Sequence, residues 1–349
     1  MNAAADSNLP APPRAMATPH PTHKFRLLLR REFWEHKGGF LWAPLVAGAI
    51  SLLLTIMAIV IGEVAARKAL ADGEFDGDVM INGLDLGYLT EKLGPSELHE
   101  LSQGIDIALY MASGWPLIVL GFVVFFYCLG ALYDERKDRS VLFWKSLPVS
   151  DRDTELSKAA SALFVAPLIA IAASLATMVG FLVVLSVVVL IHGGNPYVLL
   201  WGPGNPLNIV ASYAVSIPVY ALWALPTVGW LLLCSAWSRS KPFLWAVMLP
   251  VFAGIFLSWF DLMPFLDLDS SWFWAHIVAR VLLGTFPAMD LVYRDGFGQG
   301  GDSPGDVLAD LSARGSLDSL AMPELWIGAL AGAAMIFGAI RLRRWRDEG

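Results

Sequence analysis

Charge is the scarce ingredient of this sequence. Asp, Glu, Lys and Arg make up only 16% of its 349 residues, while 56% are hydrophobic, against about 25% and about 45–50% in soluble domains. That balance excludes a freely soluble fold and points to a membrane protein. Cysteine is nearly missing as well. Cys128 and Cys234 both sit within apolar runs, so they read as buried small hydrophobes and not as a disulfide or metal pair. The G-x-x-x-x-G-K-[ST] and G-x-G-x-x-G phosphate loops, H-E-x-x-H and paired Cys-x-x-Cys are absent, so the chain itself is expected to bind no nucleotide or metal and to be no enzyme. A formal net charge of −7 weighs against nucleic acid as a partner. Ser113, in MASGW, has no membrane-embedded His to activate it, and Ser-Gly in an apolar helix is a packing device. Residues 1–22 are rich in Pro and Ala and lack an apolar signal core; they read as a disordered tail, which leaves the first apolar run to serve as the insertion signal.

What the chain has instead is a set of long apolar runs. Crossing a hydrocarbon core takes roughly 20 apolar residues, and six runs qualify: 40–61, 107–132, 159–191, 209–237, 243–260 and 325–340. None of them contains Asp, Glu, Lys or Arg. Unpaired backbone is not tolerated in lipid, so the expected fold is all-α and polytopic, one membrane domain over residues 23–349. Pro218, Pro226 and Pro250 should bend their helices.

Cations set the orientation. Lys24, Arg26, Arg30, Arg31 and Lys37 precede the first run; Arg136, Lys137, Arg139, Lys145, Arg152 and Lys158 fall between the second and third; Arg239 and Lys241 follow the fourth; Arg341, Arg343, Arg344 and Arg346 follow the sixth. The alternate segments 63–106, 192–208 and 261–324 hold few cations and most of the acids. Both termini and segment 133–158 are therefore expected in the cytoplasm. Residues 270–292 are apolar enough to imitate a seventh span, but Arg280 and His276 lie near the middle and a further crossing would put Arg341 to Arg346 outside. This stretch reads as a re-entrant or interfacial helix on the outer side. In the outer loop 63–106, Ser96 reads as the N-cap of a helix carrying Leu98, Leu101 and Ile105 into the second span.

The spans lack charged residues to carry a coupling ion, so energy for any transport should enter through a cytoplasmic surface. The island LYDERKDRSVLFWKSLPVSDRDTELSK, 132–158, offers one. A helix from Arg139 would align Val141, Phe143, Trp144 and Leu147 along one side, with Arg139 and Lys145 off it, and Pro148 would end it. Two readings are open: a loop lying on lipid headgroups, or a short helix whose Phe143–Trp144 knob fills a groove on a soluble partner. Ahead of the first span, HKFRLLLRREFWEHKGG (23–39) sets Arg26, Arg30 and Lys37 on one side and Phe25, Leu28, Leu29 and Phe33 on another, followed by Trp34; Glu32 and His36 interrupt the apolar stripe, and Gly38-Gly39 should turn the chain into the membrane.

YDERKDRSVLFWKSLPVSD, followed by Ser-Lys and a long apolar helix, resembles the cytoplasmic loop between the second and third spans of ABC-2 type transporter permeases. The layout is similar too: a basic segment before span one, six spans, both ends inside and an outer helical element before span six. The resemblance implies the membrane subunit of a bacterial ABC exporter in the cytoplasmic membrane, docked through a coupling helix (Arg139, Val141, Phe143, Trp144, Lys145, Leu147) to a separate ATPase subunit that holds ATP and Mg. It also implies an elbow helix (Arg26, Arg30, Phe33, Trp34) and pairing with a second permease copy or a related permease. From other classes, a membrane scaffold or sensor whose island recruits a cytoplasmic protein, and an ion-coupled secondary transporter, stay open.

Overall fold

The computed structural model describes residues 21–71, 94–140, 150–261, 270–295 and 303–346, and all regular structure among them is helical. Six helices are long and apolar enough to cross a membrane: Gly38–Lys68, Ser96–Lys137, Asp151–Ile191, Pro206–Trp237, Pro242–Phe260 and Pro323–Arg343. The protein is a multi-pass, all-α membrane protein. Within those spans and between them we label α1 (Pro21–Glu35), α2 (Ala43–Ala71), α3 (Pro95–Gly130), α4 (Tyr133–Lys137), α5 (Asp151–Ala160), α6 (Ala166–Ile191), α7 (Pro206–Trp237) and α8 (Pro242–Asp261). Then come α9 (Ser270–Phe273), α10 (Arg280–Leu283), α11 (Met289–Asp295), α12 (Pro304–Leu311), α13 (Ala313–Asp318) and α14 (Pro323–Arg346).

Several helices overshoot the apolar runs because local caps extend them. At the start of α3 the Glu97 carboxylate accepts from Gly94 N at 2.9 Å, so the cap is Gly94 and not Ser96; Leu101 and Ile105 then face inward, as their spacing requires. At the start of α5 the Ser150 side chain accepts from Asp153 N at 3.1 Å. Between α1 and α2 the expected turn is missing. Gly38 and Gly39 begin a π-helical turn, Gly38–Trp42, and the bonds His36 N→Glu32 O and Phe40 N→His36 O, both 3.0 Å, carry the helix through. The prolines likewise stay inside helices, Pro116 in α3, Pro218 and Pro226 in α7, and Pro250 in α8.

Burial distinguishes the centre from the rim. α2 presents Leu45, Ile50, Leu53, Ile56, Val60 and Ile61 outward, the mark of a helix whose surroundings are hydrocarbon. α7 is the hub, with Trp223, Val228, Leu231 and Leu232 sealed inside. Lipid offers no hydrophobic drive for helix association, so close backbone approach must do that work. It does so where α7 meets α14: a Cβ added to Gly229 would lie 2.5 Å from Gly332 O, and one added to Gly332 would lie 2.5 Å from Leu225 O.

Residues 270–295 form a hairpin that packs on the bundle. The helical stretch from Ser270 to Leu283, π-helical over Trp274–Ala279, holds to α8 through Trp274 Nε1→Ser258 Oγ (2.9 Å) and to α7 through Thr227 Oγ1→Arg280 O (2.6 Å). Its tip inserts between α7 and α3: Tyr220 OH donates to Thr285 O (3.0 Å), and the Phe286 ring meets Phe122 edge-on at 4.9 Å. After a turn with Ala288 at φ 65°, α11 returns, placing Tyr293 5.1 Å from the Trp223 ring. At about 1.5 Å per residue the descending arm is too short to span a core of about 30 Å.

Two measurements check this architecture. Gly332→Val should push α14 off α7 and destabilise the detergent-solubilised protein by about 1–3 kcal/mol, read by thermal unfolding, whereas Gly62→Val, with open space around its Cβ position, should be neutral. Single cysteines replacing Ser150 and Ser303 should react with an impermeant maleimide from opposite sides of the membrane; same-side labelling would mean that 270–295 crosses.

Candidate functional site

One end of the bundle gathers α1, α4, α5 and the last turns of α14, and each brings charge. The apolar stripe of α1 is broken by Glu32, and that break is the entry to the site. Glu32 is fully buried, and Lys158, Glu155, Arg343 and Glu135 are 2%, 2%, 5% and 7% exposed. Ionised groups taken out of water need partners close by. Lys158 Nζ supplies them on two sides, 3.0 Å from Glu32 Oε1 and 3.0 Å from Glu135 Oε1. Arg343 Nη2 donates to Glu135 Oε2 at 3.1 Å, Arg31 Nη2 to Glu135 Oε1 at 3.4 Å, and Tyr127 OH to Glu32 Oε2 at 2.8 Å. Glu155 sits more loosely, its Oε1 4.0 Å from Arg343 Nε. Three buried acids thus face three bases, Arg31, Lys158 and Arg343, in one connected network, and Arg31 pairs besides with the exposed Glu35 at 3.2 Å.

Each position follows from local structure. The π-helical turn Ser161–Val165 lies just past Lys158, at the join of α5 and α6. Glu135 is held in register by a second clamp: Leu132 N and Tyr133 N donate to Ser235 Oγ at 3.1 and 2.9 Å, while Arg136 Nη2 donates to Ser235 O and, at 3.0 Å, to Ser238 O. The start of the island is thereby bolted to the end of α7. Beside the network a cavity of about 590 Å³ opens, lined by His36, Phe40, Tyr127, Glu135, Ser140 and Lys158.

The residues singled out in the sequence fall around this network and not in it. Arg26 and Arg30 are exposed; Phe33 packs half-buried on the core, and Trp34 is exposed with Lys37 Nζ 5.0 Å above its ring. Arg139 is exposed with φ 57°, a left-handed residue that terminates α4, so the helix expected to start there does not include it. Val141, Phe143, Trp144, Lys145 and Leu147 lie outside the described residues. What sequence reasoning missed is the set Glu32, Glu135, Glu155, Lys158 and Arg343, and the available signal was the acid in the middle of an apolar helix face.

A buried pair is stabilising only while complete, and losing one partner typically costs about 3–5 kcal/mol. Lys158→Met, which leaves buried Glu32 with the Tyr127 hydroxyl in place of its ammonium partner while Glu135 keeps Arg343 and Arg31, should therefore lower stability by that order in thermal unfolding of the purified protein. Adding Glu32→Gln should recover part of the loss; strictly additive effects of the two changes would show that the charges are not coupled.

Compared with protein-family models, with curated proteins and with solved structures, the chain matches none, and its functional reading rests on the island motif and this geometry.

Proposed function

We propose that this chain is the membrane subunit of an ATP-driven exporter of the ABC-2 type. Both termini and the island face the cytoplasm of a bacterial cell, and a separate ATPase subunit, which holds ATP and Mg, docks on residues 139–147. A second permease copy or a related one completes the pathway. The observation that carries this reading is the anchoring of the island at both ends. Glu135 precedes segment 141–149 by six residues, Glu155 and Lys158 follow it, and all three belong to the network that also contains α1 and α14. Both flanks of that segment are thus fixed to one network of helix ends. Rigid anchoring of this kind suits transmission of movement from a docked partner.

The same anchored island also suits a scaffold that recruits a soluble protein, and turnover separates the two. An exporter shows partner ATPase activity that depends on the permease and on a transported compound; a scaffold shows binding alone. Buried aromatic anchors commonly cost about 2 kcal/mol or more on truncation, rim ions less than about 1 kcal/mol. Phe143→Ala with Trp144→Ala should therefore weaken ATPase retention by about thirtyfold and abolish coupled transport, while Arg139→Ala or Lys145→Ala does much less. Unchanged retention and transport in the aromatic double variant would sink the docking assignment; a larger loss on removing the cations would identify a headgroup-bound loop.

A further inference from the structure

At the opposite end of the bundle a second cavity, of about 480 Å³, runs between α3, α7 and the tip of the 270–295 hairpin, under the short helices α12 and α13. It is lined along α3 from Tyr110 to Leu120 and along α7 from Ser212 to Trp223, so it is a slot of about 15 Å at the helical rise. It begins three residues inside the apolar run 107–132. Half of a hydrocarbon core of about 30 Å is also about 15 Å, so the slot is as long as one leaflet of hydrocarbon is thick. Met111, Trp115 and Ile118 line it and are exposed, which gives it a side opening along α3 toward the bilayer.

The hydroxyls that α3 and α7 bring to the slot are engaged within the protein. Tyr110 OH donates to Leu311 O (3.1 Å), Ser212 Oγ to Asn208 O (2.9 Å), Ser216 Oγ to Tyr213 O (2.9 Å) and Tyr220 OH to Thr285 O (3.0 Å), while Tyr213 OH and Ser113 Oγ share a bond of 2.7 Å. Charge of both signs stands nearby and is likewise spoken for. Asp290 accepts from Ser319 Oγ at 2.7 Å; Asp310 has an interaction of its own and shares a neighbouring cavity with Arg314. At the inner end the Trp223 Nε1 lacks an acceptor, but Arg280, stacked 4.1 Å over the same ring, does not line the slot. A charged group inside would have no matched counter-charge, which is costly away from water.

What the slot offers is apolar volume, walled by Leu117, Leu120, Ile171, Ile217, Val219 and Phe286. Apolar cavities of about 150 Å³ already stay dry and accept apolar guests, and a void forfeits the dispersion contacts of its lining. Lipid tails are the apolar matter that reaches a side opening in a membrane span.

We propose that this slot holds one acyl chain of a bilayer phospholipid from the leaflet farther from the ion network, admitted sideways past Met111, Trp115 and Ile118, while the second chain and the head group stay in the bilayer. The end with Tyr110, Ser212 and Tyr213 takes the ester end of the chain, and the aliphatic end takes its methyl, so polarity falls along slot and chain in the same direction. The assignment goes beyond the transport reading and does not rest on it.

The test uses the full chain in phosphatidylcholine nanodiscs that contain a phosphatidylcholine with a diazirine midway along one chain, and labelled residues are identified by mass spectrometry. Val219, 2% exposed, and Pro167, buried, line the slot but are closed to lipid around the bundle. Label on them reports a chain inside, and both should be labelled, as should the outward face of α2. Gly114 lines the slot, and a Cβ added there meets nothing within 4 Å. Gly114→Leu should fill the volume and lower label at Val219 and Pro167 by about fivefold or more, the lower end of what overpacking costs, with α2 label unchanged. Ile217→Phe, from the α7 wall, should do the same, so the proposal stays exposed to failure if one variant does not assemble. The same diazirine chain on phosphatidylglycerol should label equally, because the chain is held and not the head. Absence of label at both inner residues, label there that survives both fillings, or a strong preference for either head would overturn the assignment. So would displacement by dodecanol at a mole fraction where unlabelled phosphatidylcholine has no effect, which would mark the guest as a free single chain. Failure here leaves ATPase retention untouched, and failure of the docking test leaves this label untouched.

Discussion

The ammonium of Lys158, held between the carboxylates of Glu32 and Glu135, is the contact on which one whole end of the molecule depends. Three chain segments far apart in sequence converge on it, and Arg343 adds a fourth through Glu135. On an exposed surface such a cluster competes with water and is worth little. Here it is sealed, with Glu32 and Lys158 almost entirely out of solvent, so the charges answer only to one another. Each of α1, α4, α5 and α14 brings charge to this contact, and removing any one member would leave another buried with fewer partners.

The remainder of the bundle solves a related problem with weaker groups. Interior hydroxyls bond to backbone carbonyls of neighbouring helices, as Ser51 does to Ala112 O, and the hairpin tip is pinned by Tyr220 and Thr227. Polar groups that cannot reach water thus hold helices together without charge.

The two sites occupy opposite stretches of the same helices. α3 carries Tyr110 at the slot and Tyr127 beside the network, and α7 carries Ser212 at the slot and, beyond the Gly229–Gly332 contact, Ser235 at the island clamp. Continuous, closely packed helices connect them. The sequence resemblance that suggests an ABC-2 permease lies at the network end, where the described residues show how the island is anchored.

Much of this was legible in one dimension. Six helices long and apolar enough to cross a membrane follow from counting apolar residues against the thickness of a bilayer. These are local properties, decided by composition within about 20 residues. The ion network was not legible, because Glu32 and Lys158 are 126 residues apart and Glu135 and Arg343 are 208 apart, and no periodicity pairs charges across such distances. The break in the α1 stripe was visible at Glu32, but neither its burial nor its partners were read from it. Gly38-Gly39 misled for a complementary reason: glycine permits a turn without requiring one, and packing of Phe40 into the core kept the helix going. Segment lengths and charge placement are thus written in the sequence; which charges meet, and which cavity stays open, is decided by the close approach of helices distant in the chain.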